Sequence, residues 1–300
     1  MHPAPSIILF TTLSGLGFGF LFWLGVFGWN QADGFFRWLL AIMGGVLAAG
    51  GLSFSLGHLG HPERFLLAFS QWRSSWLSRE GVAAVACLTL YAAWCAADLL
   101  LGLSLPVLGW IVAGLAIATV FTTSMIYTQL KTVPRWNHFG TPLLFLVYAN
   151  AGGGILYAAV VNSQLVWLAI PSWAAAVGGQ IAWHILAAAR PLSLAGTPET
   201  ATGLGHLGTV RLFEKPHTGK NYLLSEMVFE LGRKHAERVA LLSRMFTIFM
   251  PLALLVAAAT TSHWWLTLSA LISFSLGTLC SRWLFFAEAE HAVGLYYGRR

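Results

Sequence analysis

Residues able to do chemistry are scarce in this chain, and they concentrate in one stretch. His58–Glu80, HLGHPERFLLAFSQWRSSWLSRE, holds two histidines, two glutamates, three arginines and two tryptophans, while only 9% of the whole chain is charged. An imidazole can hydrogen-bond a carbonyl oxygen and titrates near neutral pH. A glutamate at the same level can carry a proton to water. Paired in an apolar cavity, His58 and Glu80 suit a hydrophobic carrier that exchanges protons as it exchanges electrons, which is the chemistry of a quinone. His61 precedes Pro62, so it reads as extended and loop-borne and ranks behind His58. Arg282, inside the last apolar run near its end, joins the set because an ionisable group in such a run is costly and defaults to a functional reading. Its charge would bias a half-reduced ring or the carboxylate.

The elements that must position these residues are membrane helices. The chain is 57% hydrophobic with a mean hydropathy of +0.70, and 28 charged residues in 300 cannot cover a soluble surface. Eight apolar runs reach or approach the roughly 20 residues a span needs: 6–29, 38–57, 81–103, 108–130, 142–161, 165–189, 245–262 and 264–286. They are continuous rather than alternating, which excludes a transmembrane β-barrel. The first run has no basic segment before it and no small-residue cleavage pattern after it, so it reads as a retained helix rather than a signal peptide. The fold class is all-α: a polytopic integral membrane protein, one membrane domain over 1–300 built as an eight-helix bundle. His58 then closes the second span and Glu80 opens the third, at one membrane level.

Charge orients the bundle. Fifteen of the 17 Lys and Arg fall on the side that carries the N-terminus, the connections after the second, fourth and sixth spans, and the C-terminus. The positive-inside rule places that side, with both termini, in the cytoplasm. Beside membrane segments, the net charge of +6 points to topology and docking on partners or lipid rather than to nucleic acid. Two cytoplasmic connections read as structured. Over Glu63–Leu77 the residues Phe65, Phe69, Trp72 and Trp76 share one face, the pattern of an amphipathic interfacial helix. Segment 190–244 is the one long hydrophilic connection, loop-like at first and then a charged helix from about 221 that feeds the seventh span. Trp23, Trp29, Trp38, Trp110, Trp167, Trp264 and Trp265 fall near span ends, as an interfacial belt would.

Other motifs carry less. Gly203–Gly208 spells G-x-G-x-x-G but follows no strand, so it is no dinucleotide fingerprint. Cys87, Cys95 and Cys280 lie in apolar runs without a C-x-x-C, and suit neither zinc nor an iron–sulfur cluster. A haem b would need facing histidines. His58 and His184 offer one conceivable pair, without a second pair in the other leaflet. Asp98 lies close enough to the outer end of its run to reach the interface.

Several of these residues also form a pattern. His58-Leu59-Gly60-x-Pro62 with Glu80 beyond it, Tyr127-x-x-x-x-Thr132-Val133-Pro134-x-Trp136 leading to Thr141-Pro142, and Arg282-x-x-Phe285-Phe286 in the last run together resemble the dimethyl sulfoxide reductase membrane anchor subunit family, across the whole chain. The resemblance implies an anchor with no haem and no metal of its own. It would hold a four-cluster iron–sulfur subunit and a molybdopterin catalytic subunit, and exchange electrons between menaquinone or ubiquinone and the nearest cluster. It also implies that His58 and Glu80 serve quinol binding or oxidation, and extends less directly to Arg282. Two departures stand out: the charge count places the docking face inside, and segment 190–244 is longer than in the best-known anchor. Both suit a relative with cytoplasmic catalytic subunits, such as a quinone-dependent sulfite dehydrogenase. Arg64, Arg73, Lys131, Arg135, Arg211, Lys215 and Lys220 would then form the docking surface. A scaffold that tethers the same complex without touching quinone, and a haem b cytochrome, are the readings left open beside this one.

Overall fold

A computed structural model describes residues 4–29, 32–55, 62–161, 163–214 and 235–296, without the side chains of 62–65, 68 and 296. His58, His61, Lys215 and Lys220 lie outside the described residues, as does the side chain of Arg64.

Among the described residues, eight helices are long and apolar enough to cross a membrane. They are α1 (Pro5–Phe27), α2 (Gly34–Ser53), α3 (Trp76–Leu101), α4 (Pro106–Thr128), α5 (Gly140–Val160), α6 (Val166–Ala188), α7 (Ala236–Thr261) and α8 (Trp264–Ala287). No strand occurs among the described residues. Local chemistry sets several of the starts. Pro5 and Pro106 occupy the first turns of α1 and α4, where a missing N–H costs nothing. Asp33 and Ser75 cap α2 and α3 by accepting from the backbone N–H of Phe36 and Ser78.

The third span begins at Trp76 rather than near 81, because the Ser75 cap starts the helix ahead of the apolar run. Glu80 therefore lies one turn inside α3. The interfacial helix expected over 63–77 is shorter and tighter: a 3-10 run covers Pro62–Gln71, and Trp76 belongs to α3. The seventh span begins at Ala236 rather than 245, since the charged residues of Ala236–Arg244 are helical and run on into it; the earlier part of the charged helix expected from about 221 lies outside the described residues.

Helix α7 is not regular throughout. Met245–Phe249 forms a π-helical turn, and Pro251 follows it. Proline has no N–H for the carbonyl four residues back, here that of Thr247. Trp173 Nε1 on α6 donates to that carbonyl at 2.7 Å instead, and Ser273 Oγ on α8 donates to the Phe246 carbonyl at 3.0 Å. The irregular turn is thus held by side chains of two neighbouring helices, as buried backbone requires where no water can reach.

Helices α1, α5 and α8 form the centre of the bundle. α1 packs on α2, α4, α5 and α8, and α5 on α1, α4, α6 and α8. The α1–α5 crossing is so close that a Cβ on Gly19 would overlap the Ala149 carbonyl, and one on Gly153 would overlap the Gly19 backbone. Small residues at crossings do this in membranes, where packing rather than water exclusion drives association. The outer helices show bare apolar side chains such as Ile42, Val46 and Ile185, as a lipid-facing surface does.

Of the tryptophans expected in an interfacial belt, Trp38, Trp110, Trp167, Trp264 and Trp265 are exposed at helix ends. Trp23 and Trp29 are not part of it. Both are buried: Trp23 Nε1 donates to the Asn150 side chain and carbonyl, and Trp29 stacks on Trp94. The α1–α5 packing draws Trp23 inward, and the stack on Trp94 holds Trp29, just past the end of α1, against α3.

Candidate functional site

The ends of α2, α4, α6 and α8 and the starts of α1, α3, α5 and α7 share one face of the bundle, as alternating spans of a membrane bundle do. About 6–8 Å inside that face, measured by helical rise, four positions of the site lie at one level. They are Glu80 on α3, Thr123 on α4, Phe145 on α5 and Arg282 on α8.

Glu80 is 4% exposed and Thr123 5%. The Thr123 hydroxyl and Glu80 Oε1 are 2.5 Å apart, and the same hydroxyl is 2.9 Å from the Thr119 carbonyl oxygen. Arg282 is 3% exposed. Its guanidinium carbon lies 3.6 Å above the centre of the Phe145 ring and 5.5 Å from that of Tyr148, so cation–π attraction replaces part of its lost hydration. Among the described residues its Nε and Nη1 have no hydrogen-bond partner, and it makes no ion pair. Tyr127 lies within electrostatic reach of both Glu80 and Arg282.

Arg282 borders a small cavity of about 20 Å³ between α1, α5 and α8, roughly the space of one water. Thr12 lines it too, and its hydroxyl is likewise buried without a partner among the described residues. A cavity of that size can hydrate the guanidinium and holds little more.

An aromatic cage closes the site toward the face. Tyr127 meets Trp136, Phe145, Phe285 and Phe286 at centroid distances of 5.4–5.7 Å. Trp136 stacks on Phe285 and donates through Nε1 to the Phe285 carbonyl at 2.9 Å. Thr141 Oγ1 donates to the Trp136 carbonyl and accepts from Trp183 Nε1. The Tyr127–Trp136 motif, Thr141 close behind it and the distant Arg282–Phe286 motif thus converge on one structure.

The turn between α4 and α5 is braced by His138. Its Nδ1 accepts from the Gly140 N–H at 3.1 Å, so its Nε2 carries the hydrogen and donates to the Arg135 carbonyl at 3.0 Å. Burial, and then the charges of Arg190 and Arg135, hold its pKa below the usual value despite that hydrogen bond.

The basic residues named from the sequence divide. Arg73, Lys131 and Arg211 are exposed. Arg135 is partly buried, paired with Glu288 and lying over Trp183, so it ties α8 to the α4–α5 turn within the chain. Sequence reasoning missed Thr123, Thr12 and Phe145. For Thr123 a signal existed: Thr119, Thr123 and Tyr127 recur every four residues and mark one polar face of α4.

Eight apolar spans around a buried carboxyl, a buried guanidinium and an aromatic cage define a multi-pass helical membrane protein with a polar site at one face. The chain belongs to the DMSO reductase anchor subunit family (DmsC), whose model matches residues 1–184. It is 30% identical to a sulfite dehydrogenase subunit of Allochromatium vinosum, in an alignment covering 99% of both proteins. It is 29% identical to the anaerobic dimethyl sulfoxide reductase chain YnfH of Escherichia coli, over 55% of this chain and 60% of that one. No solved structure matches it.

Proposed function

We propose that this chain is the quinone-reactive anchor of a molybdopterin and iron–sulfur oxidoreductase, and that it passes electrons between membrane quinone and a partner iron–sulfur subunit. The observation that carries the reading is the buried Glu80, bonded to Thr123, at the same depth as a buried Arg282 with unmet donors. Buried ionisable groups that are not paired with each other are expensive in a membrane and mark ligand or proton sites. In this reading the ring lies between Glu80 and His58. When quinone is reduced, it takes two electrons from the partner's clusters and two protons, one through Glu80 and one through His58. Arg282 acts as a fixed positive charge beside the site, with His61 second in rank as a ligand.

Sulfite oxidation with quinone reduction is favoured over dimethyl sulfoxide reduction. The sulfite dehydrogenase relative aligns over nearly the full length of both proteins, segment 190–244 included, whereas the reductase relative aligns over about half of this one. The excess of Lys and Arg on the N-terminal face supports a cytoplasmic docking face and termini in the inner membrane. Arg73, Lys131 and Arg211 are its exposed described contributors, with Arg64, Lys215 and Lys220 completing it.

The test is His58→Ala and Glu80→Gln in the assembled complex, measuring turnover with quinone and, separately, with a soluble dye that bypasses the membrane. Loss with quinone and retention with dye is the expected result. Quinone-linked turnover that survives both substitutions in an intact complex would overturn the site and leave a tether.

A further inference from the structure

The Thr123 hydroxyl stands between two acceptors, Glu80 Oε1 at 2.5 Å and the Thr119 carbonyl oxygen at 2.9 Å. A threonine hydroxyl has one hydrogen and can donate to only one of them. If Glu80 were permanently ionised, one of these contacts would bring two oxygens together with no hydrogen between them. If Glu80 carries a proton, both contacts are filled. The carboxyl O–H donates to Thr123 Oγ1, and Thr123 donates to the Thr119 carbonyl. When the proton leaves, the Thr123 hydrogen swings toward the carboxylate, and the carbonyl keeps the backbone bond of its helix. Only the contact between Thr123 Oγ1 and the Thr119 carbonyl oxygen then has to relax.

We propose that Thr123 is the positioning residue that lets Glu80 hold and release a proton inside the bundle. Its hydroxyl serves as acceptor to the protonated carboxyl and as donor to the ionised one. Among the described residues, no other group facing Glu80 substitutes for it. Tyr127 on α4 and Arg282 on α8 act on the site through space, and neither forms a hydrogen bond or ion pair with the carboxyl among the described residues. Arg79, on the same helix, turns outward to the Trp72 and Arg73 carbonyls. The described parts of α1 and α2 bring no titratable side chain to this depth.

A hydroxyl that reverses its role in place keeps the carboxyl hydrogen-bonded in both protonation states. The consequence for turnover rests on the quinone reading above; the proton held by Glu80 does not. The test is infrared spectroscopy of the assembled complex in membranes at neutral pH, together with the pH profile of quinone-linked turnover. The wild-type protein should show a protonated-carboxyl band that is lost in Glu80→Gln. Thr123→Val, nearly isosteric, should shift that band and displace one limb of the pH profile, and Thr123→Ser should restore both. Absence of a carboxyl band lost in Glu80→Gln would overturn the proposal, as would a band that stays in place in Thr123→Val. If the band moves as expected while Glu80→Gln leaves turnover intact, the role of Thr123 stands and the quinone reading fails.

Discussion

The two ends of this bundle each carry an acidic and a basic side chain within the spans, and they treat them in opposite ways. At the end away from the N-terminus, Arg37 on α2 and Asp98 on α3 meet at 3.3 Å, with the arginine side chain about a third exposed. Arg37 also donates to the Ala32 carbonyl just ahead of its own helix. At the N-terminal face, Glu80 and Arg282 are buried more deeply, yet they are not paired with each other. Glu80 takes a threonine, and Arg282 takes an aromatic face and a cavity. A pair that satisfies itself at an interface needs no further explanation. Two buried ionisable groups kept apart at one depth do call for one, because such groups are costly inside a membrane.

The largest expected effect separates the ends directly. Glu80→Gln should lower quinone-linked turnover by about 100-fold, the low end of what a positioned proton-transfer group supplies. Asp98→Asn should leave it within about twofold, since a rim ion pair adds little. The check is turnover of both variants at matched levels of assembled complex. Equal losses would erase the contrast.

Arg282→Met gives the next effect and tests whether the buried cation is there for stability. Removing a cation from an apolar site in favour of a side chain of similar length is often neutral or stabilising. Quinone-linked turnover should fall roughly tenfold, as expected for one lost interaction of a charged group, while thermal stability in detergent stays the same or rises. A large drop in melting temperature would instead make Arg282 a structural residue.

The spans could be read from sequence because they depend on composition alone, and so could the charge asymmetry. The ends could not, since the Ser75 cap and the charged turn of Ala236–Arg244 extend helices past their apolar runs. Glu80 and Arg282 were visible as rare charges in apolar surroundings. Their partners were not. Which residues meet Glu80 depends on how α3 and α4 are rotated about their axes, and the four-residue recurrence of Thr119, Thr123 and Tyr127 marks a face without saying what it faces. Phe145, one apolar side chain among many, carries no mark that an arginine will lie over it. Trp23 and Trp29 misled for the complementary reason: nearness to a span end does not say whether a ring points to lipid or into the bundle.

A pH effect on folding should appear at the N-terminal face. The neutral His138 ring joins the Arg135 carbonyl to the start of α5. Its pKa is depressed in the folded protein below the ordinary 6.5, so the unfolded chain binds its proton more readily. The sign follows: this contribution to stability is complete above about pH 6.5 and is lost as pH falls through the lower folded value. Melting temperature should therefore decline on acidification from neutral pH, and more shallowly in His138→Asn. Thermal scans of both proteins in matched detergent check it, and identical pH slopes would count against the assignment.

The smallest effect belongs to the outer pair, and it sharpens the contrast most. A double-mutant cycle on Arg37→Gln and Asp98→Asn, read by melting in detergent, should give a coupling below about 1 kcal/mol. The pair is solvent-reached on the arginine side, so salt should reduce the coupling further. If the coupling instead reached several kcal/mol and resisted salt, the outer pair would be a buried electrostatic clamp. Pairing would then no longer distinguish a structural charge from a functional one in this bundle, and the case for Glu80 and Arg282 would rest on their depth alone.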